Sequence, residues 1–324
     1  MREGAVRDAF LGLAIGDALG VPYELGARDV LEADPVTDMV GHLAHDKPPG
    51  TWSDDGSLTF CVADSLIEGF DVERMGKSFL AWFDEGHWSA DGKAFGSGGT
   101  TRAALKKIRE GGPCENAGMT TMESNGNGSL MRTLPLAFYL RDRDTYEKWA
   151  IIRSASSITH AHPIACMCCH YYVDFAILLL RGATKETVYS SLKEHLRLAF
   201  NVLSIENGFE KEDLRAFDRL LVGNIHTLPS SEIRSGSYVV DSLEAAIWCL
   251  MTSRSYKETV LKAVNLGGDS DSTAAIAGGL AGILYGLDDV PKHWLNWLAR
   301  KEDIERLADE FEHSVNKEVI EENA

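Results

Sequence analysis

A helical repeat of apolar residues runs through almost the whole chain, and it constrains the fold more than any other feature of the sequence. Apolar side chains recur every three or four residues, whereas alternation with period two is almost absent. Such a repeat builds helices with one buried face and provides few segments suited to a sheet. The sequence therefore predicts an all-α fold, with helices at 7–19, 57–69, 75–83, 100–110, 130–140, 146–156, 163–180, 186–200, 242–252, 256–265, 273–285, 291–298 and 304–315.

The connections between these helices predict a single domain that covers residues 1–324, because no Pro/Ser-rich linker, internal repeat or charge block divides the chain. Four connections are longer than is usual within a domain, namely 41–56, 87–99, 111–129 and 223–236. Loops of this length often carry function. We therefore expect the functional residues to lie in or beside these loops.

A stripe of glycines marks the first predicted helix, where Gly12, Gly16 and Gly20 recur every four residues. Glycine weakens a helix, so the stripe indicates close contact with the backbone of a neighbouring element. Asp17 lies beside the stripe. It is either a buried structural carboxylate or a group that supports a functional site.

Composition and charge narrow the class of protein. The chain is 44% hydrophobic and 25% charged, and its formal charge of −17 argues against a nucleic-acid partner, which would need clustered Lys and Arg. No uninterrupted apolar run approaches the ~20 residues that span a bilayer, so no membrane partner is expected. Asp8 and Asp17 interrupt the apolar N-terminal stretch, which argues against a signal peptide. We expect a cytoplasmic protein.

The cysteines invite a zinc interpretation, which the sequence does not favour. Cys166, Cys168 and Cys169 cluster in an apolar helical segment, and no second Cys/His pair follows at zinc-ligand spacing. Buried cysteine behaves as a small hydrophobic residue in a reducing compartment. We therefore expect all six cysteines to be free thiols.

Two stretches rich in side-chain oxygens stand immediately before helical runs. In "GGDSDSTA", Asp269, Ser270, Asp271, Ser272 and Thr273 supply more oxygens than the single residue that caps a helix. This stretch alone is compatible with either a cap or a metal site. In "GTWSDDGS", residues 53–55 repeat the pattern. Together the stretches bring four carboxylates and at least two hydroxyls, which suit Mg²⁺ or Mn²⁺ better than zinc or copper.

Several blocks resemble the ADP-ribosylglycohydrolase family, in that family's order. They are "GLAIGDALGVPYE", "GTWSDDGSLTFCVADSL", "ESNGNGSLMRTLPLAF", "SSITHAHP" and "NLGGDSDSTAAIAGGLAG", spread over residues 12–282. The resemblance implies an all-helical domain with a central binuclear Mg²⁺ or Mn²⁺ site. It also implies hydrolysis of the glycosidic bond between ADP-ribose and an acceptor side chain, in an ADP-ribosylated protein or a small ADP-ribose conjugate.

The resemblance also assigns residues to roles. Six positions match the metal ligands: Ser53, Asp54, Asp55, Asp269, Asp271 and Ser272. Family members often have threonine at the two serine positions, and serine keeps the hydroxyl. Glu24 matches a glutamate beside the metals that acts as a ligand or as the base for water. The catalytic residues are therefore expected to be Glu24, Asp54, Asp55 and Asp271.

Two glycine-rich loops and one histidine are expected to bind the ligand. Backbone N–H groups at the start of the helix predicted near Thr100 can meet a diphosphate, and "SNGNGS" resembles the loop around the adenosine-side ribose. His160 matches a histidine that faces ADP-ribose, whereas His162 is expected to be structural. The predicted substrate-binding residues are Gly96, Ser97, Gly98, Gly99, Thr100, Ser124, Asn125, Gly126, Asn127, Gly128 and His160.

One departure from the family concerns the acceptor. Members that act on ADP-ribosyl-arginine often carry an aspartate where this chain has Gly96, and Asp91 could replace it only if the loop folds differently. Arginine is nevertheless the preferred acceptor, because the other blocks look closer to the family's bacterial dinitrogenase reductase-activating glycohydrolases. The alternatives are a hydrolase of serine-linked or O-acetyl ADP-ribose and a non-catalytic ADP-ribose-binding protein. Retention of every ligand position and of Glu24 argues against the last.

Overall fold

Helices account for the regular structure of the protein. The computed structural model describes residues 2–207 and 211–322, and side chains for 2–196 and 213–317. Over these residues it contains no β-strand and only isolated β-bridges, so the predicted all-α fold is confirmed. The α-helices are α1 (Ala5–Gly20), α2 (Arg28–Ala33), α3 (Asp54–Leu66), α4 (Val72–Glu85), α5 (Gly99–Arg109), α6 (Leu134–Tyr139), α7 (Thr145–Ser157), α8 (Pro163–Leu180), α9 (Lys185–Asn207), α10 (Lys211–Arg215), α11 (Asp218–Leu221), α12 (Val239–Met251), α13 (Tyr256–Val264), α14 (Ser270–Tyr285), α15 (Lys292–Trp297) and α16 (Lys301–Glu322).

Each helix predicted from the repeat overlaps an observed one, but the prediction for 130–140 is wrong in part. That segment forms a 3₁₀ turn, Leu130–Arg132, followed by the short helix α6. Pro135 explains the break, because proline lacks an N–H and is tolerated only in the first turn of a helix. The short helices α2, α10 and α11 were not predicted, since four to six residues carry too little of the repeat.

The glycine stripe of α1 packs directly against the backbone of α14, which confirms the close contact predicted for it. A Cβ atom added to Gly16 would lie 2.1 Å from the carbonyl oxygen of Ala274. A Cβ atom added to Gly20 would lie 2.3 Å from the Cα atom of Asp271. Only glycine fits at such distances, and the contact therefore fixes α1 against the first turns of α14.

The most apolar helix of the protein is α8. It is the one helix in the described part of the chain that is long and apolar enough to cross a membrane, and 89% of it is buried inside the protein. Its three cysteines are free and buried, as are the other three in the chain. At its start His162 accepts a hydrogen bond from the backbone N–H of Ile164 at 3.2 Å, which is the structural role expected for it.

Three isolated bridges connect the loops at the ends of the helices. They join Gly26 to Gly268, Met119 to His160 and Gly126 to Tyr238. Each bridge ties together loop segments that are distant in sequence, including those that follow Glu24 and precede Asp269. The bridges therefore fix the loop 111–129 to the residues just before α8 and α12, and the turn before α14 to the segment that follows Glu24.

Candidate functional site

The two acidic stretches meet in space. Asp54 and Asp55 form the first turn of α3, and Asp271 and Ser272 lie in the first turn of α14. The Ser272 hydroxyl donates to Asp55 Oδ2 at 3.3 Å, across 217 residues of sequence. Two groups of three carboxylates have oxygens within 4.8 Å of one another, and they share one aspartate: Asp17, Asp55 and Asp271, and Glu24, Asp269 and Asp271. With Asp54, these residues are called the acid cluster below.

Asp17 is the member of the acid cluster whose place the sequence left open. It is fully buried in α1 and accepts hydrogen bonds from the backbone N–H groups of Ser53 at 2.9 Å and Gly56 at 2.8 Å. Its carboxylate therefore holds the start of α3 against α1. The structure therefore gives Asp17 a structural role at the start of α3, and its carboxylate also lies close to those of Asp55 and Asp271.

Glu24 reaches the acid cluster through the loop that follows α1. The N–H of the next residue, Leu25, donates to the carbonyl of Gly268 at 2.7 Å, which places Glu24 beside the Gly-Gly turn before α14. The Glu24 carboxyl group also forms a hydrogen bond with His45 Nε2. The loop 41–56 thus contributes His45, which the sequence did not single out, because a lone histidine in a polar loop carries no recognisable pattern.

Burial controls the protonation of the acid cluster. It raises the pKa of Asp54, Asp55 and Asp271 well above the usual range of a carboxyl group, and neighbouring carboxylates raise each pKa further. Burial likewise raises the pKa of Asp17 to about 7, although the N–H groups of Gly56 and Ser53 oppose the rise. Negative charge is therefore costly at this place without a compensating cation.

The acid cluster has the chemistry of a site for hard divalent cations. Among the described residues, Asp55 Oδ1 and Asp271 Oδ1 are buried without a hydrogen-bond partner. A buried carboxylate oxygen without a partner is destabilising, and a bound cation would satisfy it. Carboxylate and hydroxyl oxygens are the ligands that suit Mg²⁺ and Mn²⁺. The residues present therefore fit the ions that the sequence predicted.

A cavity of about 500 Å³ opens onto the acid cluster. It is lined by most of the residues selected from the sequence, which are Glu24, Asp54, Asp55, Gly96, Gly98, Gly99, Thr100, Gly126, Asn127, Gly128, His160, Asp269, Asp271 and Ser272. Asn127 connects two of the lining segments, because its Nδ2 donates to Asp269 Oδ2 at 2.9 Å. Residues from six separate segments of the chain therefore surround one space.

Four of the selected residues do not line this cavity. The Ser53 hydroxyl donates to Asp55 Oδ2 at 3.1 Å, so it lies beside the acid cluster but outside the lining of the cavity. Ser97 is buried and its carbonyl accepts from Arg102. Ser124 pairs with the Thr121 hydroxyl at 3.0 Å, and Asn125 donates to the Met122 carbonyl at 3.2 Å. The side chains of Ser124 and Asn125 therefore stabilise their loop, and the direction of a loop side chain cannot be read from sequence.

Several lining residues were not selected from the sequence: Leu25, Thr101, Glu123, Met131, Gly236, Ser237 and Gly268. Most are direct sequence neighbours of selected residues, and this adjacency is the one feature of the sequence that could have identified them. Gly236 and Ser237 differ, because Gly236 ends the loop 223–236 and Ser237 follows it. The carbonyl of Ser237 accepts the N–H of Asn127 at 3.0 Å, which brings this loop to the cavity.

The glycine loop 96–99 has two different properties. Gly98 and Gly99 begin α5 and have open space where a side chain would project. Gly96 has a φ of +89°, and a Cβ atom there would lie 2.3 Å from Asp54 Oδ1. An aspartate therefore does not fit at position 96 in this backbone. Asp91 does not replace it, because it lies outside the cavity and pairs with Lys47 at 2.6 Å.

His160 lines the cavity as a neutral ring. It is 2% exposed, and its Nδ1 lies 2.7 Å from the Thr159 hydroxyl. Burial, assisted by the charge of Arg132, lowers the pKa of His160 to about 3. The ring is therefore uncharged at neutral pH and can donate or accept one hydrogen bond at the cavity.

Comparison with known proteins identifies the family of the chain. The family model for ADP-ribosylglycohydrolase matches residues 2–319. The ADP-ribosylarginine hydrolase Tri1 of Serratia proteamaculans is 34% identical over 307 residues, which cover 94% of this chain and 78% of that protein. The ADP-ribosyl-[dinitrogen reductase] glycohydrolase of Rhodospirillum rubrum is 26% identical over 302 residues, covering 90% of each chain.

A solved structure is also similar. It is described as an ADP-ribosylglycohydrolase-related protein complex, and it superimposes with a TM-score of 0.75 at 31% sequence identity. The similarity covers 97% of this chain and 100% of that one. The resemblance inferred from the sequence blocks is therefore confirmed over nearly the whole length. The chain belongs to the ADP-ribosylglycohydrolase family and is a glycosyl hydrolase.

Proposed function

We propose that this protein hydrolyses the glycosidic bond between ADP-ribose and an arginine side chain, and so reverses mono-ADP-ribosylation of a protein. The observation that carries the proposal is the convergence of two acid-bearing helix starts, α3 and α14, on a cavity that the glycine loop of α5 also lines. The relative from Serratia proteamaculans, named as an ADP-ribosylarginine hydrolase, supports arginine as the acceptor.

The acid cluster would hold two divalent cations, Mg²⁺ or Mn²⁺. Six residues would supply the ligands, namely Ser53, Asp54, Asp55, Asp269, Asp271 and Ser272. When bound, the ions would supply Lewis-acid chemistry and would orient the ribose through its hydroxyls. The unpartnered oxygens of Asp55 and Asp271 support this assignment. Asp17 would hold α3 in place from behind, through the N–H groups of Ser53 and Gly56.

The remaining residues would position the ligand and move protons. Glu24 would take a proton from the water that attacks the anomeric carbon, and the departing guanidine would gain one, so that water adds across the broken bond. The N–H groups of Gly98 and Gly99 would receive the diphosphate, helped by the N-terminal dipole of the 11-residue helix α5. Gly126, Asn127, Gly128 and His160 would line the rest of the ADP-ribose.

A second acceptor is supported by one observation, the glycine at position 96. Because no acid fits there, a carboxylate that would recognise a guanidinium is missing from this loop. Hydrolysis of serine-linked or O-acetyl ADP-ribose is therefore the alternative to arginine. In either case the substrate is an ADP-ribosylated protein or a small ADP-ribose conjugate, and we place the enzyme in the cytoplasm as a single domain.

The direct test incubates the purified protein with arginine-linked and serine-linked ADP-ribosyl peptides in Mg²⁺ or Mn²⁺. Free ADP-ribose and the recovered peptide are followed by mass spectrometry. We expect release from the arginine peptide, none after chelation, and none with Asp271→Asn. Asp288→Asn is the matched control, since Asp288 is exposed and lies outside the cavity. Release from the serine peptide alone would replace arginine by the second acceptor.

A further inference from the structure

A buried arginine lies directly behind the cavity and plays no part in the chemistry described so far. Arg132 is 1% exposed, and its guanidinium lies over the Phe79 ring at 4.3 Å from the centroid. It donates to the Gly128 carbonyl at 3.0 Å and to the Thr159 hydroxyl at 2.8 Å. Burial lowers the pKa of Arg132 to about 10, so the side chain remains charged at neutral pH. Arg132 thereby joins two segments that line the cavity.

The bond from Arg132 determines the direction of the next hydrogen bond. A guanidinium has only donors, so the Thr159 oxygen must accept from it. The hydroxyl hydrogen of Thr159 is then directed at His160 Nδ1, 2.7 Å away, which is the one remaining hydrogen-bond partner of that hydroxyl among the described residues. The reverse arrangement, with a proton on Nδ1, would leave the buried hydroxyl hydrogen without an acceptor, which is destabilising.

The ring proton of His160 therefore belongs on Nε2, and Nε2 faces the cavity. A Cβ atom added to Gly126 would lie 3.6 Å from Nε2, and one added to Gly128 would lie 3.4 Å from it, and both glycines line the cavity. The backbone of His160 is held as well, because its N–H donates to the Ser156 carbonyl and its carbonyl accepts from the Ser156 hydroxyl, each at 2.8 Å. Because Nδ1 is also bonded to the Thr159 hydroxyl, the ring has little freedom to turn away from the cavity.

We propose that Arg132 is a positioning residue which, through Thr159, holds His160 as the neutral Nε2–H tautomer and presents one N–H donor to an oxygen of the ADP-ribose moiety. The identity of that ligand rests on the proposed function. The tautomer is a property of the free protein, because it follows from contacts within the chain.

The tautomer can be observed without ligand. In protein labelled with ¹⁵N at the histidine ring nitrogens, long-range proton–nitrogen spectra distinguish a protonated from a bare nitrogen, and loss of signals in His160→Gln assigns the ring. We expect Nε2 protonated and Nδ1 bare. Thr159→Val should reduce this preference to the weaker Nε2–H preference of a free imidazole ring, and Thr159→Ser should restore it. The matched control is Thr259→Val, because the Thr259 hydroxyl is also buried but bonds to Ser255.

Binding tests the second half of the proposal. By calorimetry with ADP-ribose, we expect Thr159→Val to bind about fivefold more weakly, which corresponds to about 1 kcal/mol. Thr159→Ser and Thr259→Val should bind like the parent. His160→Gln keeps an N–H donor near the Nε2 position and should retain more affinity than His160→Asn. Arg132→Lys keeps the positive charge but loses the two guanidinium nitrogens that bond to Gly128 and Thr159. It should shift the tautomer equilibrium of His160 in the same direction as Thr159→Val.

A bare Nε2 in the parent protein would overturn the proposal, as would a Thr159→Val spectrum identical to that of the parent. A changed spectrum with unchanged ADP-ribose affinity would overturn the donor role of His160. Failure of the parent to bind ADP-ribose would overturn the proposed function instead, and the spectrum of the free protein would still decide the tautomer.

Discussion

Substitution of Gly16 by alanine tests whether the contact between α1 and α14 builds the site. The added methyl group would lie 2.1 Å from the carbonyl oxygen of Ala274 and 2.7 Å from its carbonyl carbon. Non-bonded heavy atoms need about 3.5 Å, so the helices would have to separate by about 1.4 Å. Overpacking of a rigid core lowers the free energy of unfolding by about 1–3 kcal/mol. We expect a loss at the upper end of this range for Gly16→Ala, because the atoms on both sides of the contact belong to the backbone and cannot move aside easily.

About 3 kcal/mol corresponds to a fall of about 6 °C in Tm, at about 2 °C per kcal/mol for a chain of this size. A second effect follows from the position of Asp17, the residue after Gly16. Moving α1 by about 1.4 Å moves its carboxylate away from Asp55 and Asp271, and Mg²⁺ requires nearly ideal geometry. We expect saturating Mg²⁺ to raise the Tm of the parent protein, and we expect this rise to be smaller in Gly16→Ala.

The assay is thermal unfolding followed by circular dichroism, in EDTA and in Mg²⁺. Gly99→Ala is the control, because nothing lies within 4 Å of the added methyl group and Gly99 is the first residue of α5. Its Tm should change by no more than about 2 °C, which corresponds to about 1 kcal/mol. If Gly16→Ala unfolds at the temperature of the parent and responds equally to Mg²⁺, then the packing of α1 on α14 does not set the geometry of the acid cluster.

Three further predictions concern the acid cluster and the glycine loop. Asp271→Asn should abolish hydrolysis yet keep the circular dichroism spectrum, and a variant that still releases ADP-ribose would contradict the assigned role. Because burial raises the pKa of Asp17 from 3.8 to about 7, the folded metal-free protein binds a proton that the unfolded chain releases above pH 4. Tm in EDTA should therefore fall as the pH rises from about 4 to about 7, and this dependence of Tm on pH should be weaker in Asp17→Asn. Equal slopes in the two proteins would be evidence against a raised pKa of Asp17. Gly98→Val should lower ADP-ribose affinity at least tenfold without changing Tm by more than about 2 °C, because its Cβ meets nothing within 4 Å; unchanged calorimetric affinity would place the diphosphate elsewhere.

The fold was largely predictable because the helical repeat is a local property. The error at 130–140 has a local cause too, since Pro135 starts a new helix where the apolar spacing alone suggested continuation. The missed helices α2, α10 and α11 depend on neighbouring elements, because so few residues cannot form a stable helix alone.

The site was predictable to the extent that its residues stand together in sequence. Residues 53–55 and 269–273 carry more side-chain oxygens than helix caps require, and the structure places both stretches at one cavity. Asp17 was ambiguous, because one acid in an apolar helix has several explanations. Whether a loop side chain such as Ser124 or Asn125 points inward depends on tertiary contacts that no local pattern encodes.

The packing of α1 on α14 also has a consequence for synthesis of the chain. The hydroxyl of Ser270 bonds to the carbonyl of Gly20, 250 residues earlier. At about 5–20 residues per second, a ribosome needs about 10–50 s to make the residues between them. Throughout this interval α1, which is buried on nearly every side in the finished protein, lacks its main partner. The nascent chain therefore exposes an apolar, aggregation-prone segment, and the acid cluster can assemble only after the first turn of α14 has been made.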